Sequence, residues 1–374
     1  MEINCNKEDL LYGVQIVNRA VSNKNTLPVM GGILLNAKNN TLTFQATDLE
    51  LAIECLVSVD VIEEGTIILP GKYFIELVKR LPAGPINIKS NNNFGAEIKY
   101  EQSELSIIGY DPEEFPSFPE INDSFPGNMD QDLFKEMIKQ VSVAASNDES
   151  RPVFTGILME LLGNDVVFVA TDTHRLTLRK GIWKGNLFQE KISMIIPSRT
   201  MIEVARIIND ETEPLFIMPG ENQIHFKAGN ISIISRLIDG QYPNYNYAIP
   251  ERDSFKTKIR VRSKKLLEAA ERAALLARDD IKEKSNLIRL KAERERLIIN
   301  SNSPEIGKIN EEINIHLEGE PIEIVFNSKY LLDALKVVGA EDIYIELIGA
   351  LSPGIIRNVE NEEFIYLILP VRTV

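Results

Sequence analysis

The sequence predicts an α+β protein built from three copies of one unit, each with two helices packed on antiparallel sheets. Three observations lead to this class: an amphipathic helix recurs twice, a pair of strand motifs recurs once, and an apolar residue followed by proline recurs twice. An internal repeat of this kind constrains the architecture more than any single element does. Two helices on one face of an antiparallel sheet make a stable layered arrangement.

One amphipathic helix is predicted to begin at Gly71, Ser198 and Ser328. In each copy, apolar residues at positions i, i+3, i+4 and i+7 form one buried face. These faces are Phe74, Leu77, Val78 and Leu81; Met201, Val204, Ala205 and Ile208; and Leu331, Ala334, Leu335 and Val338. Gly71, Ser198 and Ser328 are also predicted N-caps, because glycine and serine suit that position.

A second amphipathic helix precedes each of these helices at a constant interval. Its predicted buried face is Leu10, Val14, Val17 and Val21 in the first copy, Leu133, Met137, Val141 and Ala144 in the second, and Leu266, Ala270, Ala273 and Ala277 in the third. The strand motifs recur as Gly32-Ile33-Leu34 with Ala46-Thr47-Asp48, and as Gly156-Ile157-Leu158 with Ala170-Thr171-Asp172.

The boundaries of the copies recur as well. Phe115-Pro116 returns as Tyr242-Pro243 and again as Leu369-Pro370. We therefore predict three domains, at residues 1–121, 129–250 and 251–374. The tail after the third pair then occupies the place at which an interdomain linker begins in the other copies.

Composition narrows the function classes. The chain has 374 residues, with 41 Lys plus Arg against 55 Asp plus Glu and a net charge of −14. No apolar run reaches the ~18 residues that span a bilayer, and no signal peptide is visible. With only two cysteines, Cys5 and Cys55, a disulfide framework is excluded and a cytoplasmic location is expected. The acidic balance by itself argues against nucleic-acid binding.

The charges are nevertheless sorted along the chain. In the helix that begins at Gly71 and in its two counterparts, a base, an acid and a second base recur at the same spacing. The three sets are Lys72, Glu76 and Lys79; Arg199, Glu203 and Arg206; and Lys329, Asp333 and Lys336. Intrahelical ion pairs worth about 0.3–0.5 kcal/mol each are one interpretation. A basic face that holds phosphates on an acidic body is the other.

The first helix of the third copy favours the phosphate-binding interpretation. Between Arg260 and Arg278, six basic residues are opposed only by Glu268 and Glu271, so this stretch has a net charge of +4. The corresponding helix of the second copy has no such excess.

Six segments, taken in order, point to a known family. They are TLPVMGGILL (26–35), ATDLEL (46–51), LPGKYFIELVKRLP (69–82), ATDTHRL (170–176), YPNYNYAIP (242–250) and YLILPVR (366–372). Over its full length the sequence resembles the bacterial sliding clamps, the β subunits of the DNA polymerase III holoenzyme. The resemblance implies three DNA-clamp domains per subunit and a head-to-tail dimeric ring. Twelve lining helices spaced ~9 Å apart would leave a hole of ~25 Å, which admits a duplex loosely.

This resemblance also implies a function and a set of partners. The chain is expected to encircle double-stranded DNA as a homodimer, to slide without sequence specificity and to tether the replicative polymerase for processive synthesis. Expected partners are the polymerase catalytic subunit, the clamp loader, and other DNA polymerases and repair proteins that bind through short clamp-binding peptides. No membrane partner, cofactor, metal or catalytic activity is expected.

The family binds such peptides in an apolar cleft between its second and third domains. The matching positions are Phe154, Thr171, Thr173, His174, Arg175, Leu176, Pro243, Tyr247, Ala248, Leu367, Leu369, Pro370, Val371 and Arg372, with a departure from the family pattern at Phe154 and Tyr247. The apolar walls are expected from Leu176, Leu367, Leu369 and Val371, and the polar rim from His174 and Arg175. An ordinary edge strand is the alternative for Leu367 and Leu369.

Two further departures bear on the cleft. Thr173 stands where the family usually has glycine, which predicts a narrower cleft floor. Thr373 and Val374 follow the final arginine, where the family usually ends with a leucine, so the last anchor of the cleft differs.

The resemblance and the helix positions together suggest residues that contact DNA. They are Lys24, Lys72, Lys79, Arg151, Arg199, Arg206, Lys264, Lys265, Arg272, Lys329 and Lys336. Solvated surface charge is the alternative for each. Near Arg151, Pro152 and Val153 replace aromatic residues that are common in the family, which predicts weaker or differently placed contacts at that loop.

The dimer contact is expected to join the third domain of one subunit to the first domain of the other. Leu275 and Leu276 are the predicted residues of the third domain, and Leu105 and Ile107 are those of the first. The alternative for the two leucines is the core of their own domain.

Two other function classes stay open. A hydrolase or metal site could use Asp172 and His174, which lie two residues apart beside Thr171. Because Asp48 repeats the Thr-Asp pair without a histidine, a turn is the better interpretation. The sequence has no HExxH, CxxC, GxSxG or P-loop pattern. A repeat scaffold that binds only proteins is the second class, and the basic helices argue against it.

Overall fold

The computed structural model describes residues 1–22, 27–91, 93–118, 126–186, 188–209, 213–277, 286–303 and 306–372. It divides into two compact units. Unit 1 contains Met1–Asp132, Lys184–Asn186 and Glu203–Leu237, and unit 2 contains Leu133–Trp183, Leu187–Ile202 and Ile238–Val374. The second predicted copy therefore contributes to both units. The three predicted domain boundaries stay a prediction.

The helices are α1 (Lys7–Val17), α2 (Gly71–Arg80), α3 (Gln131–Val141), α4 (Pro152–Thr155), α5 (Ser198–Ile207), α6 (Ser263–Ala277) and α7 (Ser328–Val337). The strands are β1 (Glu2–Asn6), β2 (Gly32–Lys38), β3 (Thr41–Thr47), β4 (Leu51–Ser58), β5 (Asp60–Glu63), β6 (Gly65–Pro70), β7 (Pro85–Ser90), β8 (Gly95–Tyr100), β9 (Ser103–Ile108), β10 (Gly127–Met129), β11 (Gly156–Gly163), β12 (Asp165–Thr171), β13 (Arg175–Ile182), β14 (Lys184–Gly185), β15 (Phe188–Pro197), β16 (Leu215–Pro219), β17 (Gln223–Ala228), β18 (Ile231–Arg236), β19 (Thr257–Arg262), β20 (Leu287–Glu293), β21 (Arg296–Ser303), β22 (Gly307–Asn314), β23 (His316–Gly319), β24 (Ile322–Asn327), β25 (Asp342–Leu347), β26 (Gly354–Asn358) and β27 (Phe364–Ile368).

The predicted helices are confirmed at all six positions, and α2, α5 and α7 begin at the residues expected. The predicted N-caps are wrong by one residue for α2 and α7. Gly71 and Ser328 are the first helical residues, and the caps are Pro70 and Asn327. The Asn327 side chain accepts a hydrogen bond from the Lys329 backbone N–H at 2.9 Å, which satisfies one free donor of the first turn.

Unit 1 contains two antiparallel sheets. A five-stranded sheet has the order β5-β1-β7-β8-β9, and a nine-stranded sheet has the order β14-β10-β16-β17-β18-β4-β3-β2-β6. The pairing of β18 with β4 joins strands of the first and second copies, with Ile234 opposite Ala52. We call this pairing the β4–β18 junction.

Unit 2 repeats this arrangement. Its nine-stranded sheet has the order β15-β11-β12-β13-β27-β26-β25-β19-β23, and its four-stranded sheet has the order β22-β21-β20-β24. The pairing of β13 with β27 joins the second and third copies, with Leu176 opposite Leu367. We call this pairing the β13–β27 junction. The α+β class with antiparallel sheets is thus confirmed.

Each helix pair covers a core made largely of strand residues. In unit 2, Leu266 and Ala273 of α6 and Leu331 of α7 are fully buried against both sheets. Cys5 and Cys55 are both buried and free, and burial raises the pKa of each thiol to about 12. Within the described ranges, no helix is long and apolar enough to cross a membrane.

Candidate functional site

The floor of the predicted peptide cleft is an apolar cluster at the β13–β27 junction. Leu176 and Leu367 are cross-strand partners, and both are buried. Alternate residues of a strand share a face, so Leu178 and Ile365 extend the same surface. The buried cluster consists of Leu158, Val169, Leu176, Leu178, Ile195, Ile355, Ile365 and Leu367. Leu367 therefore belongs to a central strand, and the edge-strand alternative is wrong for it.

An aromatic pair borders this floor. The rings of Phe154 and Tyr242 meet edge to face with centroids 6.4 Å apart. Tyr242 and Val153 pack on the cluster, although neither was a predicted cleft residue. The guanidinium of Arg151 lies 5.5 Å from the Phe154 ring centroid, and its Nε is 3.7 Å from the Asp148 carboxylate. A residue predicted to contact DNA thus lies beside a predicted cleft residue.

The C-terminal tail continues from the end of β27. The Leu369 N–H donates to the His174 carbonyl at 2.9 Å, and the Val371 N–H donates to the Val325 carbonyl at 2.8 Å. Leu369 and Arg372 are exposed, whereas Pro370 and Val371 are half-buried. Thr373 and Val374 lie outside the described residues.

The Thr171-Asp172 pair forms the turn that leads into β13. Asp172 Oδ1 accepts the backbone N–H groups of His174 and Arg175 at 2.9 and 3.0 Å. The Thr171 hydroxyl oxygen accepts the Thr173 N–H at 3.1 Å. The turn interpretation is confirmed, since these carboxylate and hydroxyl groups serve the backbone.

Thr173 occupies the left-handed region of this turn, with φ of 77°. A β-branched residue is strained there, whereas the glycine expected from the resemblance would adopt this conformation without strain. Thr173 is exposed, and the floor is built by Leu176 and Leu367. The predicted narrowing of the floor by Thr173 stays a prediction.

Arg175 is not part of the rim, and that prediction is wrong. It is 7% exposed, and its Nε donates to Asp172 Oδ2 at 3.0 Å. Its Nη1 donates to Asp333 Oδ2 at 2.5 Å and to the Tyr366 hydroxyl at 3.3 Å. Burial lowers the pKa of the guanidinium, but Tyr366, Asp333 and Asp172 raise it more, so the net pKa lies above the ordinary value. His174 is exposed, as expected for a rim residue.

The segment that follows Tyr242 is divided between core and solvent. Tyr242, Tyr245 and Ile249 pack on the apolar cluster. Pro243 and Ala248 are exposed, and Tyr247 is 89% exposed. The structure therefore pairs Leu176 with Leu367 and places Phe154 against Tyr242, but it leaves these three predicted residues exposed. Tyr242 could have been found from the sequence as the apolar partner of Pro243 in the recurring pair.

The predicted DNA-binding residues are all exposed where the structure describes them, and Lys24 lies outside the described residues. Apart from Arg199 and from Arg151, which pairs with Asp148 beside the cleft, they fall into two groups. Ion pairs neutralise Lys79, Arg206, Arg272 and Lys336, whose partners are Glu76, Glu203, Glu311 and Glu271. Lys72, Lys264, Lys265 and Lys329 have no ion pair within the part of the chain that the structure describes. Arg199 is exposed on α5.

The predicted dimer residues lie on an edge strand and on a helix end. Leu105 and Ile107 are half-buried on β9, which has a neighbour on only one side within the described residues. Leu275 is 64% exposed and Leu276 is half-buried near the end of α6. Ile108, which is exposed on the same strand as Ile107, was not among the predicted residues. Among the described residues, no group of three or more His, Cys, Asp or Glu side chains could hold a metal ion.

Comparison with known proteins gives matches to one family along the whole chain. Three models of the DNA polymerase III beta subunit match it: the N-terminal domain at residues 1–119, the central domain at 128–244 and the C-terminal domain at 247–372. The beta sliding clamp of Bacillus subtilis is 36% identical over 384 residues, and that of Staphylococcus epidermidis is 32% identical over 382 residues, with 100% of each chain covered.

Solved structures give the same result. The DNA polymerase sliding clamp from Bacillus subtilis superposes with a TM-score of 0.95 at 35% identity over 100% of both chains. A sliding clamp from Pseudomonas aeruginosa bound to griselimycin superposes with a TM-score of 0.93 at 28% identity, again over 100% of both chains.

Proposed function

The chain belongs to the family of DNA polymerase III beta subunits, the beta sliding clamps, and on this basis we propose that it closes around duplex DNA as a head-to-tail homodimer. In this proposal it is a non-catalytic processivity factor. It slides along DNA without reading sequence and tethers the replicative polymerase in the cytoplasm.

The main support for the dimer is that two strands have a free edge, among the described residues, where their counterparts in the other copies are paired. β18 pairs with β17 on one side and β4 on the other, and β27 pairs with β26 and β13. β9 is the first-copy counterpart of both strands, and among the described residues it pairs only with β8.

The strands on the other side of the two junctions, β4 and β13, also have a counterpart with a free edge among the described residues. β4 pairs with β3 and β18, and β13 pairs with β12 and β27. β22 is their counterpart in the third copy, and among the described residues it pairs only with β21. A β9–β22 pairing between two subunits would therefore repeat the internal junction. Because the two surfaces differ, the contact is heterologous, and two such contacts close a ring when the rotation closes.

The solution mass tests this proposal. The chain has a mass of 42.2 kDa. Light scattering should give twice that mass at micromolar concentration, and the protein should be retained on nicked circular DNA but lost from the same DNA after linearisation. A stable monomer under these conditions would contradict a self-closing ring. A dimer that leaves circular and linear DNA equally fast would contradict encirclement.

The division of the basic side chains into those with and those without an ion pair leads to a prediction about DNA binding. We expect Lys72, Lys264, Lys265 and Lys329 to contribute more to phosphate binding than the four neutralised bases, because an ion pair must break before its base can meet a phosphate. Replacing the unpaired four by alanine should reduce the slope of log affinity against log salt by about 0.9 for each phosphate that the protein no longer neutralises. The matched control replaces Lys79, Arg206, Arg272 and Lys336, and equal slopes for both sets would contradict the ranking.

The cleft at the β13–β27 junction gives the chain its partners in this proposal. A short peptide with an apolar or aromatic pair fits a floor of Leu176 and Leu367 bordered by Phe154 and Tyr242. The partners would be the polymerase catalytic subunit, the clamp loader, and other DNA polymerases and repair proteins. Competition between a labelled peptide and griselimycin, which is bound to the Pseudomonas aeruginosa relative, would test whether the cleft binds both.

A further inference from the structure

We propose that Arg175 is a positioning residue for the peptide cleft: from the helix side of the sheet, its guanidinium fixes the turn and the strand end that shape the cleft. This inference rests on the proposed function, since it assumes that the cleft binds peptides. Arg175 would act through its neighbours without touching the peptide.

The side chain of Arg175 lies on the opposite face from the cleft floor. Adjacent residues of a strand point to opposite faces, so Arg175 and Leu176 diverge. Leu176 joins the cleft cluster, whereas Tyr366 and Ile368, which flank Leu367 on β27, belong to the core beneath the helices of unit 2. The Tyr366 hydroxyl is a partner of Arg175, which places the guanidinium on the helix side.

From that side, Arg175 holds the turn that begins β13. The Asp172 carboxylate is shared, since Oδ2 accepts Arg175 Nε while Oδ1 accepts the N–H groups of His174 and Arg175. The carbonyl of His174 in turn accepts the Leu369 N–H at 2.9 Å. The guanidinium therefore orients the carboxylate that fixes the turn, and the turn holds the first residue of the tail.

Arg175 also connects this turn to helix α7. Its Nη1 donates to Asp333 Oδ2 at 2.5 Å, and its guanidinium carbon lies 4.5 Å from the centroid of the Tyr330 ring. The ring of His174 stacks on the same tyrosine at 6.2 Å, and the Tyr366 hydroxyl donates to the Tyr330 carbonyl at 2.9 Å. One buried cation thus joins the turn, β27 and the first turns of α7.

The backbone alone does not require this guanidinium. At the β4–β18 junction the residue equivalent to Arg175 is Leu51, which is buried. Asp48 Oδ1 still accepts the N–H groups of Glu50 and Leu51 at 3.2 and 2.9 Å. The Arg236 N–H still donates to the Glu50 carbonyl at 2.9 Å, as Leu369 does to His174. Since the same junction forms around a leucine, backbone pairing does not require the arginine. We therefore assign Arg175 to the cleft, which the β4–β18 junction lacks.

The test compares Arg175→Leu, which copies Leu51, with Arg179→Leu as a matched control. Arg179 is buried on the same face of the same strand, with Gln140 and Glu363 as partners, but it lies away from the tail. The probe is a fluorescein-labelled pentapeptide with adjacent leucine and phenylalanine, measured by polarisation. Arg175→Leu should weaken binding about tenfold. Arg179→Leu should bind as the parent does, although both variants lose stability.

A second variant covers the case in which Arg175→Leu fails to fold. Asp333→Asn weakens the same contact from α7, outside the cleft, and should reduce peptide affinity by a few-fold. Parent-like binding by Asp333→Asn, or equal losses in the two arginine variants, would overturn the positioning role. Failure of the parent chain to bind the peptide would instead overturn the proposed cleft, and the inference with it.

Discussion

The β4–β18 junction in unit 1 and the β13–β27 junction in unit 2 share a backbone but differ in their side chains. Both begin with a Thr-Asp turn, and the residue after the aspartate has a positive φ in each, 74° at Leu49 and 77° at Thr173. The strand registers correspond, since Ala52 opposes Ile234 as Leu176 opposes Leu367.

The side chains decide which junction has an apolar floor. Leu176 and Leu178 of β13 correspond to Ala52 and Glu54 of β4. Gln45 donates to the Glu54 carboxylate at 2.6 Å, and burial raises the pKa of that carboxyl. A methyl group and a hydrogen-bonded acid cannot offer the surface of two leucines. A repeated backbone can therefore support an apolar floor in one copy and only a structural contact in another.

The largest effect is expected from a substitution that disrupts the proposed β9–β22 pairing, which would be a third junction of this kind. Ile107→Asp should convert the dimer into a monomer, because it places an unpaired charge in an interface that must exclude water. Light scattering at micromolar concentration measures the mass. Ile62→Asp is the control, since Ile62 is exposed on β5 at the other edge of the same sheet. Dissociation in both variants, or in neither, would contradict the assigned interface.

The next largest effect is expected from a substitution that makes the β13–β27 junction resemble the β4–β18 junction. Leu176→Ala, which copies Ala52, should weaken binding of the labelled peptide about 30-fold, as expected for loss of a central apolar contact. It should also lower the free energy of unfolding by about 2–5 kcal/mol. Ile53→Ala removes a buried side chain from the other junction and is the control. Loss of peptide binding in that control would show that the effect reflects general destabilisation.

A smaller effect is expected from a difference between β17, the neighbour of β18, and β26, the neighbour of β27. His225 of β17 opposes Ile234, and Ile355 of β26 opposes Leu367. Burial lowers the pKa of His225. The unfolded chain therefore binds a proton near pH 6.5, before the folded chain does, and stability falls as the pH drops below that value. His225→Ile should therefore lose less stability than the parent as the pH falls below this value. Urea unfolding at pH 7.5 and 5.5 measures the difference, and identical losses in both proteins would contradict it.

The smallest effect concerns the shared positive φ. Thr173→Gly should stabilise the chain by about 0.5–1 kcal/mol, because glycine relieves the strain of a left-handed residue at a cost in chain entropy. Leu49→Gly is the matched variant and should gain less, since leucine is not β-branched. Urea midpoints compare the two. Destabilisation by Thr173→Gly would show that the threonine side chain contributes more to the turn than its backbone strain costs.

Local patterns in the sequence were sufficient for the helix faces, the turns and the apolar strand residues. The helix faces follow from a period of 3.6 residues, which fixes burial without knowledge of any partner. The Thr-Asp turns follow from side chains that bond their own backbone a few residues away. The apolar character of Leu176 and Leu367 was also visible, although β13 and β27 are buried on both faces around them, so no alternation showed which face forms the floor. The resemblance of six ordered segments supplied the family, and with it the expected cleft.

Which groups meet became known only from the tertiary structure. Arg175 was placed on the rim because the resemblance puts it among the cleft residues, and its carboxylate partner Asp333 belongs to a helix far away in the sequence. Arg272 likewise pairs with a residue that is distant in the sequence, Glu311 of β22, so no local pattern shows that its charge is neutralised. The free edges of β9 and β22, among the residues that the structure describes, can be recognised only from the full set of strand pairings. Strand pairing and buried ion pairs join residues that are distant along the chain, whereas periodicity reports only how each residue is buried.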